Sequence, residues 1–154
     1  MDPTPHHPTK PTSLAEYLEA LSRPVFSTGM SWKVVAAKWD GICESFQGFD
    51  PQHVADMTPA DVDRLVADPK MIRNRRKIEA TIHNAETMLE LDRTHQGFAR
   101  YLASRGSFED TVADLRGNFR FVGESGAYYF LWSVAEPVPA YQEWSALHGR
   151  GAAA

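Results

Sequence analysis

The stretch IRNRRKIEATIHNAETMLELD, residues Ile72 to Asp92, sets Ile78, Ile82, Ala85, Met88 and Leu89 three or four residues apart. That spacing predicts one long helix, from roughly Ile72 to Asp92, with an apolar stripe along one side. Toward the N-terminus, Asp68-Pro69 interrupts. Thr58-Pro59-Ala60-Asp61 then reads as the start of a helix running to about Ala67, and Asp50-Pro51 starts a shorter one, because Asp caps a first turn and Pro fits it. Ser31 opens a helix to about Phe46, with Trp32, Val35, Ala36, Trp39 and Cys43 on one face and Gly48 beyond its end. Leu14 to Ser22 carries Leu14, Tyr17, Leu18 and Leu21 at helical spacing, and Arg23 to Gly29, with Pro24, reads as a break.

Toward the C-terminus, Gly97 closes the long helix and Phe98 to Ala103 forms another. Ser107, with Asp110 three residues on, caps the next. Phe119-Arg120-Phe121-Val122 alternates as a strand does, but is too short and isolated to build a sheet. A second apolar helix follows from Ser125 to Ala135. The expected fold class is all-α, an orthogonal bundle of about eight short helices. It occupies residues 13–150 as a single domain behind a Pro- and His-rich disordered tail, Met1 to Thr12, and Gly151 to Ala154 read as disordered too.

Composition is that of an ordinary globular chain of 154 residues with net charge −4, and no stretch is apolar for long enough to cross a membrane. Cys43 is the single cysteine, which excludes an intramolecular disulfide and favours the cytoplasm. The net charge does not advertise a nucleic-acid partner. The distribution says more: Lys70, Arg73, Arg75, Arg76 and Lys77 fall within eight residues with no acid among them. A solvated helix start and a contact with a phosphate backbone both fit that run.

Two stretches together resemble a known family. Gly29-Met30-Ser31-Trp32 is followed by Phe46-Gln47-Gly48-Phe49-Asp50-Pro51, Asp61-Val62-Asp63-Arg64-Leu65-Val66 and Ile72-Arg73-Asn74-Arg75-Arg76-Lys77-Ile78, ending at Asn84-Ala85. In order and spacing this is similar to the central part of the 3-methyladenine DNA glycosylase I family. Phe119-Arg120-Phe121-Val122-Gly123 is similar to that family's helix-hairpin-helix motif. The resemblance implies a helix-hairpin-helix fold and a base-excision glycosylase that releases alkylated purines from double-stranded DNA by hydrolysing the N-glycosidic bond. It implies Trp32 as the aromatic that stacks on the extruded base, with Phe26 at the pocket mouth. A turn at Gly123 would leave free N–H groups at the next helix start to bind a phosphate, and Gly123 can adopt backbone shapes that other residues resist. Arg73, Arg75, Arg76 and Lys77 would add positive field.

The chain also departs from the family. Pro24 stands where the family carries a base-recognising glutamate, and Met1 to Thr12 offers no counterpart of the segment that supplies aromatic pocket walls. The family's zinc clip has no matching Cys and His set, so no metal and no cofactor is expected. Helix-hairpin-helix glycosylases outside the family hold a catalytic aspartate about twenty residues past the hairpin, and counting on from Val122-Gly123 reaches Glu143. Glu143 is therefore the candidate for stabilising the sugar cation, with a surface glutamate as its plainer reading. The expected protein is a monomeric, cytoplasmic DNA glycosylase. A catalytically silent DNA-binding relative is the alternative, and a protein-interaction module on the same fold a third.

Overall fold

The computed structural model describes residues 7–149. Among them the chain forms nine α-helices and no strand. They are α1 Leu14–Ser27, α2 Trp32–Ser45, α3 Pro51–Ala55, α4 Pro59–Val66, α5 Arg75–His95, α6 Phe98–Ala103, α7 Phe108–Asn118, α8 Glu124–Ser133 and α9 Tyr141–Trp144. A single turn, Gln47–Phe49, joins α2 to α3, and another, Ser145–Gly149, follows α9. Helix starts follow side-chain capping. Ser13, Ser31, Asp50, Thr58, Asn74 and Ser107 each accept a backbone N–H from two or three residues ahead. In α4 the pairing is reciprocal: the Thr58 N–H donates to Asp61, and that bond is the main reason the Asp61 carboxyl sits at about 2.

Three expectations are corrected. The first helix does not break at Arg23 but runs through Pro24 to Ser27. Pro24 removes one backbone donor, while the hydroxyls of Ser27 and Thr28 tie the last turn to the carbonyls of Arg23 and Pro24 at 2.7 and 3.0 Å. Continuing the helix turns Phe26 inward. It is fully buried, with its ring centroid 6.4 Å from Trp39 and 6.1 Å from Phe46, in the cluster that Phe49 completes. Phe26 is thus core and not at a pocket mouth.

The long helix starts at Arg75, not Ile72, because Asn74 adopts an extended backbone and caps it. Its buried side also differs from the apolar stripe. Lys77, Thr81 and Asn84 are buried along with Ile78, Ala85 and Met88, whereas Ile82 and Leu89 are half-exposed. On α2 it is Val35, Trp39 and Ile42 that are buried, and Ala36 faces solvent.

The third correction concerns the tail. Residues 1–6 and 150–154 lie outside the described residues, so the expected disorder of Gly151 to Ala154 does too. His7–Thr12 are mostly exposed, but the segment is tied to α8 at one point, where the Thr9 N–H donates to the Ser133 carbonyl at 3.0 Å.

Two polar residues of α5 reach across the fold. The Lys77 Nζ donates to the carbonyls of Phe26 at 2.9 Å and Thr28 at 2.5 Å, closing the C-terminal end of α1. Burial lowers its pKa from the ordinary lysine value. Asn84 is 1% exposed and holds Arg120 by both backbone groups, donating to its carbonyl at 3.1 Å and accepting its N–H at 2.8 Å. Arg120 begins the turn between α7 and α8, and its neighbour Phe121 sits in the left-handed region at φ 60°, a costly shape for a residue with a side chain. The Asn84 clamp fixes the chain immediately before that residue.

Replacing Asn84 by Ala should therefore cost about 1–3 kcal/mol in urea denaturation, since it strips two bonds from a turn that cannot easily find others. Asn84→Asp, which keeps the acceptor for the Arg120 N–H, should lose a different amount; equal losses would show that the amide geometry is irrelevant. Cys43 is half-buried beside Glu19, whose carboxylate also accepts the Trp39 indole N–H at 3.0 Å. Burial first, and the Glu19 charge second, push the Cys43 thiol up to about 12. At pH 8 the folded protein should react with Ellman's reagent more than about a hundredfold slower than the urea-unfolded chain, given a free-thiol pKa near 8.5.

Candidate functional site

Where α1 ends, α2 begins and the α7–α8 turn passes, the surface opens into a cleft of about 730 Å³. Pro24, Ser27 and Thr28 form one wall, and Met30 and Trp32 stand above them. Arg116, the turn Phe119 to Gly123 and the first turn of α8 form the other wall. Its floor is aromatic. Trp32 is half-buried and meets Tyr129 edge to face, ring centroids 5.3 Å apart at 64°. Phe119 and Phe121 extend that apolar surface along the turn. The two walls approach closely at one point: a Cβ added to Gly126 would lie 3.3 Å from the Pro24 Cβ, so α8 needs a small residue there.

Gly123 caps α8 without a side-chain hydrogen bond. The first N–H groups of this helix are thus left uncapped on the cleft side, an arrangement suited to an anion. The expected reason for the glycine is corrected. Its φ is −96°, open to any residue, and an added Cβ would meet nothing within 4 Å. The unusual backbone belongs to Phe121. What Gly123 contributes is the lack of any side chain over the helix start.

The basic run separates into different roles. Lys77 is 3% exposed and spent on the α1 carbonyls, so it is not available to DNA. Arg75 pairs with Asp63 at 2.5 Å and lies 3.8 Å from Glu79, and Lys70 pairs with Glu44 at 2.7 Å. Arg73 and Arg76 are exposed and make no ion pair among the described residues. Arg76 leans over the Phe121 ring, its guanidinium carbon 5.8 Å from the centroid, which puts a cation at the rim of the cleft. Arg116 and Arg120 add two more at the turn.

Glu143 does not reach this site. It is exposed on α9, and α9 packs through Trp144, which stacks on Tyr128 at 4.6 Å. Tyr128 also donates to the Pro139 carbonyl at 2.7 Å, so the proline-containing segment anchors α9 to the α8 residue beside Tyr129, and Glu143 is not among the residues lining the cleft. The acid that does line it is Glu124, the first residue of α8. Glu124, Arg116 and Tyr129 were missed by sequence reasoning. The first two flank the Phe119–Gly123 motif and were findable from it. Which of Tyr128 and Tyr129 faces the cleft is a matter of helix rotation that an apolar helix does not reveal.

The chain matches the family model described as methyladenine glycosylase over residues 10–118. It is 29% identical to the DNA-3-methyladenine glycosylase of Haemophilus influenzae over 69% of each chain. It is 40% identical to DNA-3-methyladenine glycosylase 1 of Escherichia coli over 49% of this chain and 41% of that one. Its fold superposes on 3-methyladenine DNA glycosylase I from Staphylococcus aureus with a TM-score of 0.71 at 24% identity, covering 82% of this chain and 78% of that one. A solution structure of 3-methyladenine DNA glycosylase I gives 0.70 at 27% identity, over 82% and 79%. No helix among the described residues is long and apolar enough to cross a membrane. With most of its length inside the family model, an all-helical fold in common and an aromatic cleft beside the hairpin turn, the chain belongs to the methyladenine glycosylase family.

Proposed function

We propose that this protein is a base-excision glycosylase that releases alkylated purines such as 3-methyladenine from double-stranded DNA by hydrolysing the N-glycosidic bond. It acts as a monomer in the cytoplasm, the compartment that a chain with a single cysteine favours. The observation that carries the reading is the aromatic cleft, with Trp32 against Tyr129, set directly beside the uncapped start of α8. Chemistry on a base requires the nucleotide to leave the stack. The uncapped N–H groups at Gly123 and beyond hold a backbone phosphate without reading sequence. Arg73 and Arg76 add positive field around it, and Arg75 does so to a smaller degree because Asp63 and Glu79 offset it.

The extruded base enters between the two walls and stacks on Trp32. A purine alkylated on a ring nitrogen is already a cation and a good leaving group. The cleft therefore needs to hold the base and shield the sugar while water attacks, and little further activation is required. Glu143 has no part in this step, being exposed away from the cleft.

One observation favours the alternative of a catalytically silent DNA-binding relative. Pro24 faces the cleft from α1 and offers no side-chain acceptor to the base. Chromatography of bases released from randomly methylated duplex separates the two readings. The enzyme reading expects free 3-methyladenine, whereas binding of the same duplex with no release would establish the silent relative. Trp32→Ala should weaken retention of the base by about 1–3 kcal/mol, with its melting curve recorded beside activity because the ring is half-buried. Binding of unmodified duplex should fall with salt at a logarithmic slope near −3, the value for three or four neutralised phosphates. A flat salt dependence would exclude the assigned arginines as phosphate contacts.

A further inference from the structure

Among the described residues lining the cleft, two carry a charge, Arg116 and Glu124. The wall from α1 brings no acid, and its hydroxyls, Ser27 and Thr28, donate to backbone carbonyls of their own helix. Glu124 belongs to the same wall as Tyr129, half of the aromatic pair. Its carboxylate forms a loose ion pair with Arg116 and is not hydrogen-bonded to it. The Arg116 guanidinium stands 4.0 Å away, beyond hydrogen-bond distance, and the Glu124 side chain is 39% exposed. Among the described residues, Glu124 accepts no side-chain hydrogen bond. The site therefore combines a surface that stacks any flat ring with one acid whose acceptors remain available.

We propose that Glu124 makes this cleft selective for positively charged bases. The inference rests on the base-binding reading above and adds the group that discriminates. Stacking on Trp32 accepts any base and gives a cationic one a modest cation–π gain. A carboxylate in the same cleft adds the larger discrimination: a cationic purine gains Coulombic attraction and a charge-assisted bond from its amino group, and a neutral purine gains far less. Arg116 restrains the effect by competing for the same carboxylate. The charge also sits at the start of α8, where it opposes a DNA phosphate drawn to the uncapped N–H groups. Removing it should thus have opposite effects on the two ligands, weakening the hold on a cationic base and strengthening the hold on ordinary duplex. A Glu124 that merely braced the turn against Arg116 would weaken both when replaced.

The test titrates the full chain with 1-methyladenosine, a cation at neutral pH, and with adenosine, by calorimetry. Unmodified duplex is titrated in parallel by fluorescence anisotropy. Wild-type protein should bind 1-methyladenosine about tenfold more tightly than adenosine, equivalent to about 1.4 kcal/mol. Glu124→Gln should cut that preference severalfold, leaving only the share due to Trp32, and tighten duplex binding, and Arg116→Ala should widen the preference for the cation. A preference that Glu124→Gln leaves unchanged overturns the proposal, as does the lack of any preference in the wild type or a Glu124→Gln variant that loses nucleoside and duplex together. Base release from methylated DNA by the wild type keeps the two failures apart. Release without a cation preference removes the role of Glu124 and leaves the glycosylase standing, whereas neither release nor nucleoside binding removes both.

Discussion

The cleft depends on two side chains of one helix. Lys77 and Asn84 lie seven residues apart on α5, and therefore on the same face, about 10 Å apart along its axis. One binds the carbonyls at the end of α1 and the other the backbone of Arg120. Those two points belong to the opposite walls of the cleft. The buried helix thus acts as a spacer: its rigid rise sets the separation of the Pro24–Thr28 wall from the hairpin turn. Both interactions use backbone groups as partners, so they position the chain whatever side chains line the cleft.

The same geometry explains why a charged residue is tolerated in the interior. An isolated ammonium would be expelled or neutralised on burial. Lys77 escapes because the last carbonyls of a helix lack intrahelical donors and carry the negative end of its dipole. Its burial also accounts for the modest cationic surface. Of five basic residues in eight, one is inside, two are held by Glu44, Asp63 and Glu79, and Arg73 and Arg76 remain. Arg116 and Arg120, far off in sequence, join them at the hairpin. The positive rim is an assembly of the fold rather than a property of the basic run.

The two walls are chemically unequal. From α1 the cleft receives a proline and two hydroxyls already engaged as donors, and close helix contact at Gly126 leaves little room for a larger group there. From α8 it receives Tyr129, an acid and an uncapped helix start. Recognition chemistry is therefore concentrated on the hairpin side, next to the point where a DNA backbone would be held. A base and its own phosphate would then be contacted by the same short helix, coupling the grip on the strand to the choice of base.

Local sequence determined most of the helices, because caps and breaks act over three or four residues. Ser31, Asp50, Thr58 and Ser107 mark starts that the structure reproduces, and Gly97 precedes α6 as expected. The ordered motifs from Gly29 to Ala85 were enough to identify the family, and Trp32 is among the residues that line the cleft. Tertiary structure decided the rest. Pro24 was read as a break because local rules count its missing donor, but not the packing that turns Phe26 into the core. Lys77 was read as surface because nothing nearby in sequence reveals carbonyls of residues 26 and 28 needing a donor. Glu143 was reached by counting along the chain, and Glu124 is the acid found in the cleft, because the segment after α8 is anchored on Tyr128 rather than folded back over Trp32. Caps are contacts between neighbours in the chain and can be read from it; a binding site is made of contacts between residues distant in the chain, and only the packed helices set those distances.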